Sequence, residues 1–135
     1  MAEKDKTADK GDLVQIGANA TTRATLERLR EHDHIAELQD GYRLGIAVAI
    51  AFGKEPDPKP VSERVTMFAT GGLDPDMALK SAISEIYPNV RTTPYRAAED
   101  LAEKGCAILE EAFEGDVISY ESLMERIAKA NESST

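Results

Sequence analysis

The sequence predicts a mainly α-helical fold of about five helices with at most a small β element, packed as a tight or intertwined oligomer. Three observations carry that expectation. Apolar residues recur three and four apart in several segments, the spacing of one helix face. Helix-starting chemistry appears at Asp74-Pro75, at Thr93-Pro94 and at Ser119. Aromatic residues make up only 5% and Trp is absent, so the core is built from Ala, Leu, Ile, Val and Met. Small aliphatic residues suit packed helices better than a sheet sandwich.

Residues 1–11 read as a disordered leader, because polar and charged residues dominate and no apolar period appears. Residues 12–53 read as a strand–helix–helix unit. Leu13 to Ile16 are a short strand candidate, with Val14 and Ile16 facing the core. Thr21 or Thr22 is placed to cap a helix running to about His32, with Leu26 and Leu29 inside and Ala24 at the edge of that stripe. A second helix follows from Ala36 or Asp40 to Phe52, and Gly53 ends it.

No residue from Leu44 to Phe52 is polar. A helix apolar on every side must be surrounded. The run is far shorter than the roughly 20 residues that cross a bilayer, so no membrane contact is expected. Leu44, Ile46, Val48, Ile50 and Phe52 are therefore the expected core of a homo-oligomer.

Pro56, Pro58 and Pro60 forbid helix and mark residues 54–60 as a linker. Residues 61–131 form a C-terminal helical part that shares one domain with the preceding unit. In it, residues 64–70 fit strand or helix, with β-branched content leaning to strand. Asp74 is expected to cap a helix whose face carries Leu79, Ala82, Ile83, Ile86 and Tyr87. The longest stripe follows Thr93-Pro94: Tyr95, Ala98, Leu101, Ala102, Cys106, Leu109 and Phe113, with Ile108 beside it. Gly105 within this stripe costs about 1 kcal/mol against Ala, which marks a close packing contact. Gly115-Asp116 reads as a turn, and Ser119 as the cap of a last helix with Leu123, Met124 and Ile127, frayed from Asn131.

Charge narrows the function classes. The net charge is −9, spread as −2 over residues 1–53 and −7 over residues 54–135. So acidic a chain gains no general attraction to phosphate backbones. Cys106 is the only cysteine, so no internal disulfide forms, and residues 1–10 show no signal-peptide pattern. A cytoplasmic protein is expected.

No constellation of catalytic residues stands out. Cys106 falls on an apolar stripe without a His partner and reads as a buried structural thiol. His32 and His34 lie two apart beside Asp33, with no clustered Cys or third His to complete a zinc site. They read as a polar interhelical turn. Asp74 and Asp76 lack the Gly and final Glu of a calcium loop. Gly71-Gly72 lacks the Lys and hydroxyl of a phosphate loop. No cofactor or metal is expected, and no enzymatic activity.

Two surfaces are candidates for recognition. Glu110, Glu111, Glu114 and Asp116 crowd a helix C-terminus, the unfavourable end for negative charge. They form a candidate docking surface for a basic protein partner. Arg23, Arg28 and Arg30, with Lys10 upstream, are the basic concentration of the first part, interleaved with Glu27 and Glu31.

The order strand (13–16), helix with Leu26 and Leu29, turn with Ile35, then a strongly apolar helix resembles the ribbon–helix–helix family over about 40 residues. The resemblance implies strands paired across a dimer, intertwined helices and DNA binding by the strand. Gln15 would then read a base edge, with Arg23, Arg28 and Arg30 at the phosphates. The strand departs from the family's alternating basic or polar residues, because its other outward positions are Leu13 and Gly17. The expected function is therefore a non-enzymatic interaction protein, a small accessory or regulatory subunit of a larger assembly. The alternative is a ribbon–helix–helix DNA-binding transcriptional regulator.

Overall fold

Two helices that meet at glycines form the centre of the fold. The structure is a computed structural model that describes residues 11–57 and 61–133. The expected leader, apart from Gly11, and the last three residues of the expected linker lie outside the described residues. The fold is mainly helical, 62% helix in six helices, with two small antiparallel sheets of two strands each.

The order is β1 (Gln15–Ala18), α1 (Ala20–Glu31), α2 (Leu38–Ala51), β2 (Val65–Ala69), α3 (Thr70–Leu73), α4 (Ala78–Ile86), a 3₁₀ turn (Pro88–Val90), α5 (Pro94–Glu111), β3 (Phe113–Glu114), β4 (Val117–Ile118) and α6 (Tyr120–Ser133).

The apolar run of α2 is covered from within the chain. Ile46, Val48 and Ala49 are buried, whereas Leu44, Ile50 and Phe52 are half-buried. The cover is α5, whose buried face holds Tyr95, Ala98, Leu101, Ala102, Cys106 and Leu109 as the spacing predicts. At the crossing a Cβ on Gly105 would lie 1.6 Å from the Gly45 carbonyl oxygen, so the two backbones touch. Gly105 is thus a packing contact, as its position in the stripe suggested. The run needs no second copy of the chain to bury Ile46 and Val48.

Helix starts follow local chemistry, with two corrections. Asn19, not Thr21 or Thr22, caps α1: its Oδ1 accepts from Thr22 N at 2.9 Å. Thr22 and Thr25 are consequently on the buried side with Leu26 and Leu29, and Ala24 is exposed. Glu37 caps α2, and its own N–H donates to Asp40 Oδ2 at 3.1 Å, a capping box.

The second correction is at Asp74. Helix α4 starts four residues later, at Ala78. Asp74 still caps it, accepting from Leu79 N and Lys80 N at 2.9 Å each, while Tyr95 Oη donates to it at 3.0 Å. The intervening Met77 takes φ +59°, a left-handed conformation, so the chain loops back over its cap. On α4 only Ile83 is buried; Ile86 is exposed, against expectation. Thr93-Pro94 and Ser119 start α5 and α6 as expected, and Ser119 Oγ accepts from Ser122 N at 3.2 Å. Helix α6 continues through Asn131 to Ser133, past the expected fraying point.

Residues 65–69 are a strand, and its partner is β1. The pairing is antiparallel, Gln15 opposite Ala69 and Ile16 opposite Phe68, with a register shift before Gly17 opposite Thr66. The expected alternation does not hold in β1. Ile16, Gly17 and Ala18 are all buried, whereas Val14 is 80% exposed and Leu13 packs against the core. The extra residue of the bulge, Met67, lies on β2, opposite the step from Ile16 to Gly17.

Long-range polar contacts fasten the first segment to the last half. Asp12 Oδ1 accepts from Tyr95 N and Arg96 N, each at 3.1 Å, at the start of α5. Arg96 Nε donates to the Gly11 carbonyl. Tyr42 Oη donates to Gly17 O at 2.7 Å, and Gly17 N donates to Glu99 Oε2 at 2.8 Å. The same carboxylate oxygen pairs with Arg64 Nε at 2.7 Å, and Arg64 Nη2 donates to Gln15 O at 3.1 Å. Glu99 is buried, so its charge depends on these donors. Burial, with the Glu99 charge second, pushes the Tyr42 phenol well above its ordinary value and holds it as a donor.

Candidate interaction surface at the hairpin and last helix

The chain after α5 turns at Gly115-Asp116 into a two-residue hairpin. Glu114 pairs with Val117 and Phe113 with Ile118. Gly115 has φ +70°, the conformation this tight turn demands of its first central residue. The turn was legible in the sequence; the two-residue strands beside it were not.

The hairpin is clasped by the end of α1 and the loop after it. Arg28 pairs with Glu110, donates from Nη2 to Gly115 O at 2.8 Å, and stands 3.9 Å from the centroid of the Phe113 ring. His32 and His34 both meet Phe113 edge-on. Ile118 N donates to His34 Nε2 at 3.3 Å, and Tyr120 Oη lies 3.4 Å from His34 Nδ1. The two histidines are therefore a polar turn, as expected, with a hairpin docked on it. Among the described residues no group of three potential ligands gathers around a metal position.

The acidic candidates divide by role. Glu110 is engaged inside the molecule, accepting from Arg28 and from Thr25 Oγ1 at 2.9 Å. It offers no free charge to a partner, and its pairing offsets the unfavourable helix end. Asp116 lies 3.7 Å from His32 Nε2 with its carboxylate still mostly exposed. Glu111 and Glu114 are exposed. The hairpin and α6 also carry three exposed apolar side chains: Val117 (59%), Tyr120 (44%) and Met124 (61%). Helix α6 itself packs through Leu123, which is buried, and Ile127, which is half-buried. Sequence reasoning placed Met124 with the packed residues. It sits on the outer side because it is one residue past Leu123.

The DNA candidates are not brought together as a free basic patch. Arg28 is committed to Glu110 and Gly115, and Arg30 Nη2 pairs with Glu27 at 2.7 Å. Arg23 Nε is buried without a hydrogen-bond partner among the described residues. The Gln15 side chain is exposed, but β1 already pairs with β2 of the same chain along one edge.

Cys106 is buried at the α2–α5 crossing, with its Sγ 2.9 Å from where a Cβ on Gly45 would lie. Burial, and then the Glu110 charge, pushes its thiol up to about 12. The thiol form is unreactive. A disulfide reagent at pH 8 is expected to leave Cys106 unmodified in the folded protein and to label it at once in denaturant. Rapid labelling without denaturant would contradict this placement.

Comparison with known protein families, with curated proteins and with solved structures gave no match. Among the described residues no helix is long and apolar enough to cross a membrane.

Proposed function

We propose that the chain is a non-enzymatic interaction protein, a small accessory or regulatory subunit, and that it binds a basic amphipathic segment of another protein through its C-terminal end. One observation carries the reading. The hairpin and the helix after it carry exposed apolar side chains (Val117, Tyr120, Met124) together with exposed carboxylates (Glu114, Asp116), and exposed Glu111 ends the helix before them. Apolar anchors inside a charged rim are the ordinary anatomy of a protein interface. The net charge of −9 selects a basic partner and speeds its approach.

The occupied Arg28 and Arg30 make this reading stronger than DNA binding. Two double variants test it by co-purification from the protein's native cells. Val117→Ala with Met124→Ala, and Glu114→Lys with Asp116→Lys, are expected to lose the same partner while keeping the wild-type melting temperature. Retention of every partner by both variants would overturn the proposal. So would sub-micromolar DNA affinity that depends on Gln15 and Arg23.

A further inference from the structure

A cleft of about 370 Å³ lies between α1 and α5. Thr22 and Thr25, 3% and 2% exposed, line it from α1; Glu103, Ala107 and Glu111 line it from α5. Thr25 Oγ1 is engaged, donating to Glu110 at 2.9 Å. The Thr22 N–H goes to Asn19, but its hydroxyl has no hydrogen-bond partner among the described residues. A buried hydroxyl left unpaired is costly, so this one is open to a group from outside. Among the described residues no Lys or Arg lines the cleft. The cations nearby are committed, Arg28 to Glu110 and Lys104 to Asp100. Glu103 and Glu111 are left without an ion-pair partner among the described residues. Burial, and then the Asp100 charge, raises the Glu103 carboxyl above its ordinary value. A cation in the cleft would relieve that.

We propose that the α1–α5 cleft binds an aliphatic diamine, one ammonium at Glu103 and the other at Glu111, with the Thr22 hydroxyl accepting from one of them. The spacing selects the chain. The two carboxylates leave α5 eight residues apart, about 12 Å along the helix axis. An ammonium–carboxylate hydrogen bond takes about 2.8 Å at each end, and a chain of about five carbons fills the rest. Ala107 lies four residues from each carboxylate and puts a methyl group between them. The threonine methyl groups extend that apolar wall. The helix ends act in opposite senses. The α1 N-terminus opposes a cation with about half an elementary charge, and the α5 C-terminus favours it by as much. The two carboxylates therefore decide the sign, and they repel an anion.

The cleft shares Glu111 with the surface proposed above, but no protein partner enters its test. The full chain is titrated with cadaverine and followed by amide NMR. Saturable binding is expected, with a Kd of about 1 mM or tighter and shifts at Thr22, Thr25, Glu103 and Ala107. The bis(trimethylammonium) analogue of cadaverine has the same charges and chain but no N–H, and should bind at least about tenfold more weakly. So should acetyl-lysine amide, which stands for a protein side chain as the source of a single ammonium. Glu103→Gln should weaken cadaverine about tenfold and Thr22→Val about threefold or more. Glu121→Gln on α6 changes the net charge equally and should leave binding unchanged. Four results would each overturn the proposal: no saturable binding, equal affinity for the quaternary analogue, equal affinity for acetyl-lysine amide, or the same loss in Glu103→Gln and Glu121→Gln. The ligand comparison uses the wild type, so it decides even if a variant fails to fold.

Discussion

Gly105→Ala is expected to unfold the protein or to cost more than about 3 kcal/mol, beyond the usual range for overpacking. The added methyl carbon would lie 1.6 Å from the Gly45 carbonyl oxygen and 2.9 Å from its Cα. Both are backbone atoms, so no side chain can swing aside. Relief requires α2 and α5 to separate, which opens the packing around Ile46, Ala98, Leu101 and Cys106. The gain of about 1 kcal/mol in helix propensity is too small to compensate. Urea unfolding followed by far-UV circular dichroism measures the loss. Gly71→Ala is the matched control, because a Cβ there meets no atom within 4 Å. It should be neutral or slightly stabilising. A stable Gly105→Ala protein would show that the helices cross elsewhere.

Removing the cation beside Glu99 should produce the second large loss. Arg64→Met strips the buried Glu99 of its ion-pair partner and β1 of the bond to Gln15 O. The carboxylate keeps the Gly17 N–H, but one neutral donor does not replace a guanidinium. Stripping one partner from a buried pair costs about 3–5 kcal/mol. The Arg64 side chain is 26% exposed, so water relieves part of this and the low end applies. A fall of about 10 °C in melting temperature follows for a domain of this size. Glu99→Gln, which removes the charge together with the need for its partner, should cost less than Arg64→Met. The reverse order would mean that the pair contributes through packing and not through charge.

Much of the helical layout was legible because local chemistry governs it. Thr93-Pro94 and Ser119 start helices in any context, and the stripe from Tyr95 to Leu109 admits one face. Gly105 was legible as a close contact, but its partner was not, because Gly45 lies 60 residues earlier and nothing local joins them. The strand β1 was visible, but its facing was not. Its buried Gly17 is met by Tyr42, by Glu99 and by Val65 of β2, each 25 or more residues away. For the same reason Asp12 could not be read as the cap of α5, since sequence rules look for a cap beside its helix.

At the candidate surface the acidic residues were visible as a group. Their division was not, because Glu110 is claimed by Arg28 and Thr25 of α1, more than 80 residues away. Tyr120 and Met124 carried no distinctive signal, since apolar residues on a helix ordinarily face inward. Only the docking of α6 through Leu123 and Ile127 turns them out. The apolar run in α2 implied a second surface covering it, and α5 supplies one for Ile46 and Val48.

The most direct test of the proposed interaction is a photo-reactive amino acid at Met124 in the protein's native cells, with the same group at Ser81 on exposed α4 as reference. Binding at this surface predicts a discrete adduct with one protein from position 124, absent from position 81 and lost when Glu114→Lys and Asp116→Lys are added. No adduct at 124, or the same adducts from both positions, would contradict it.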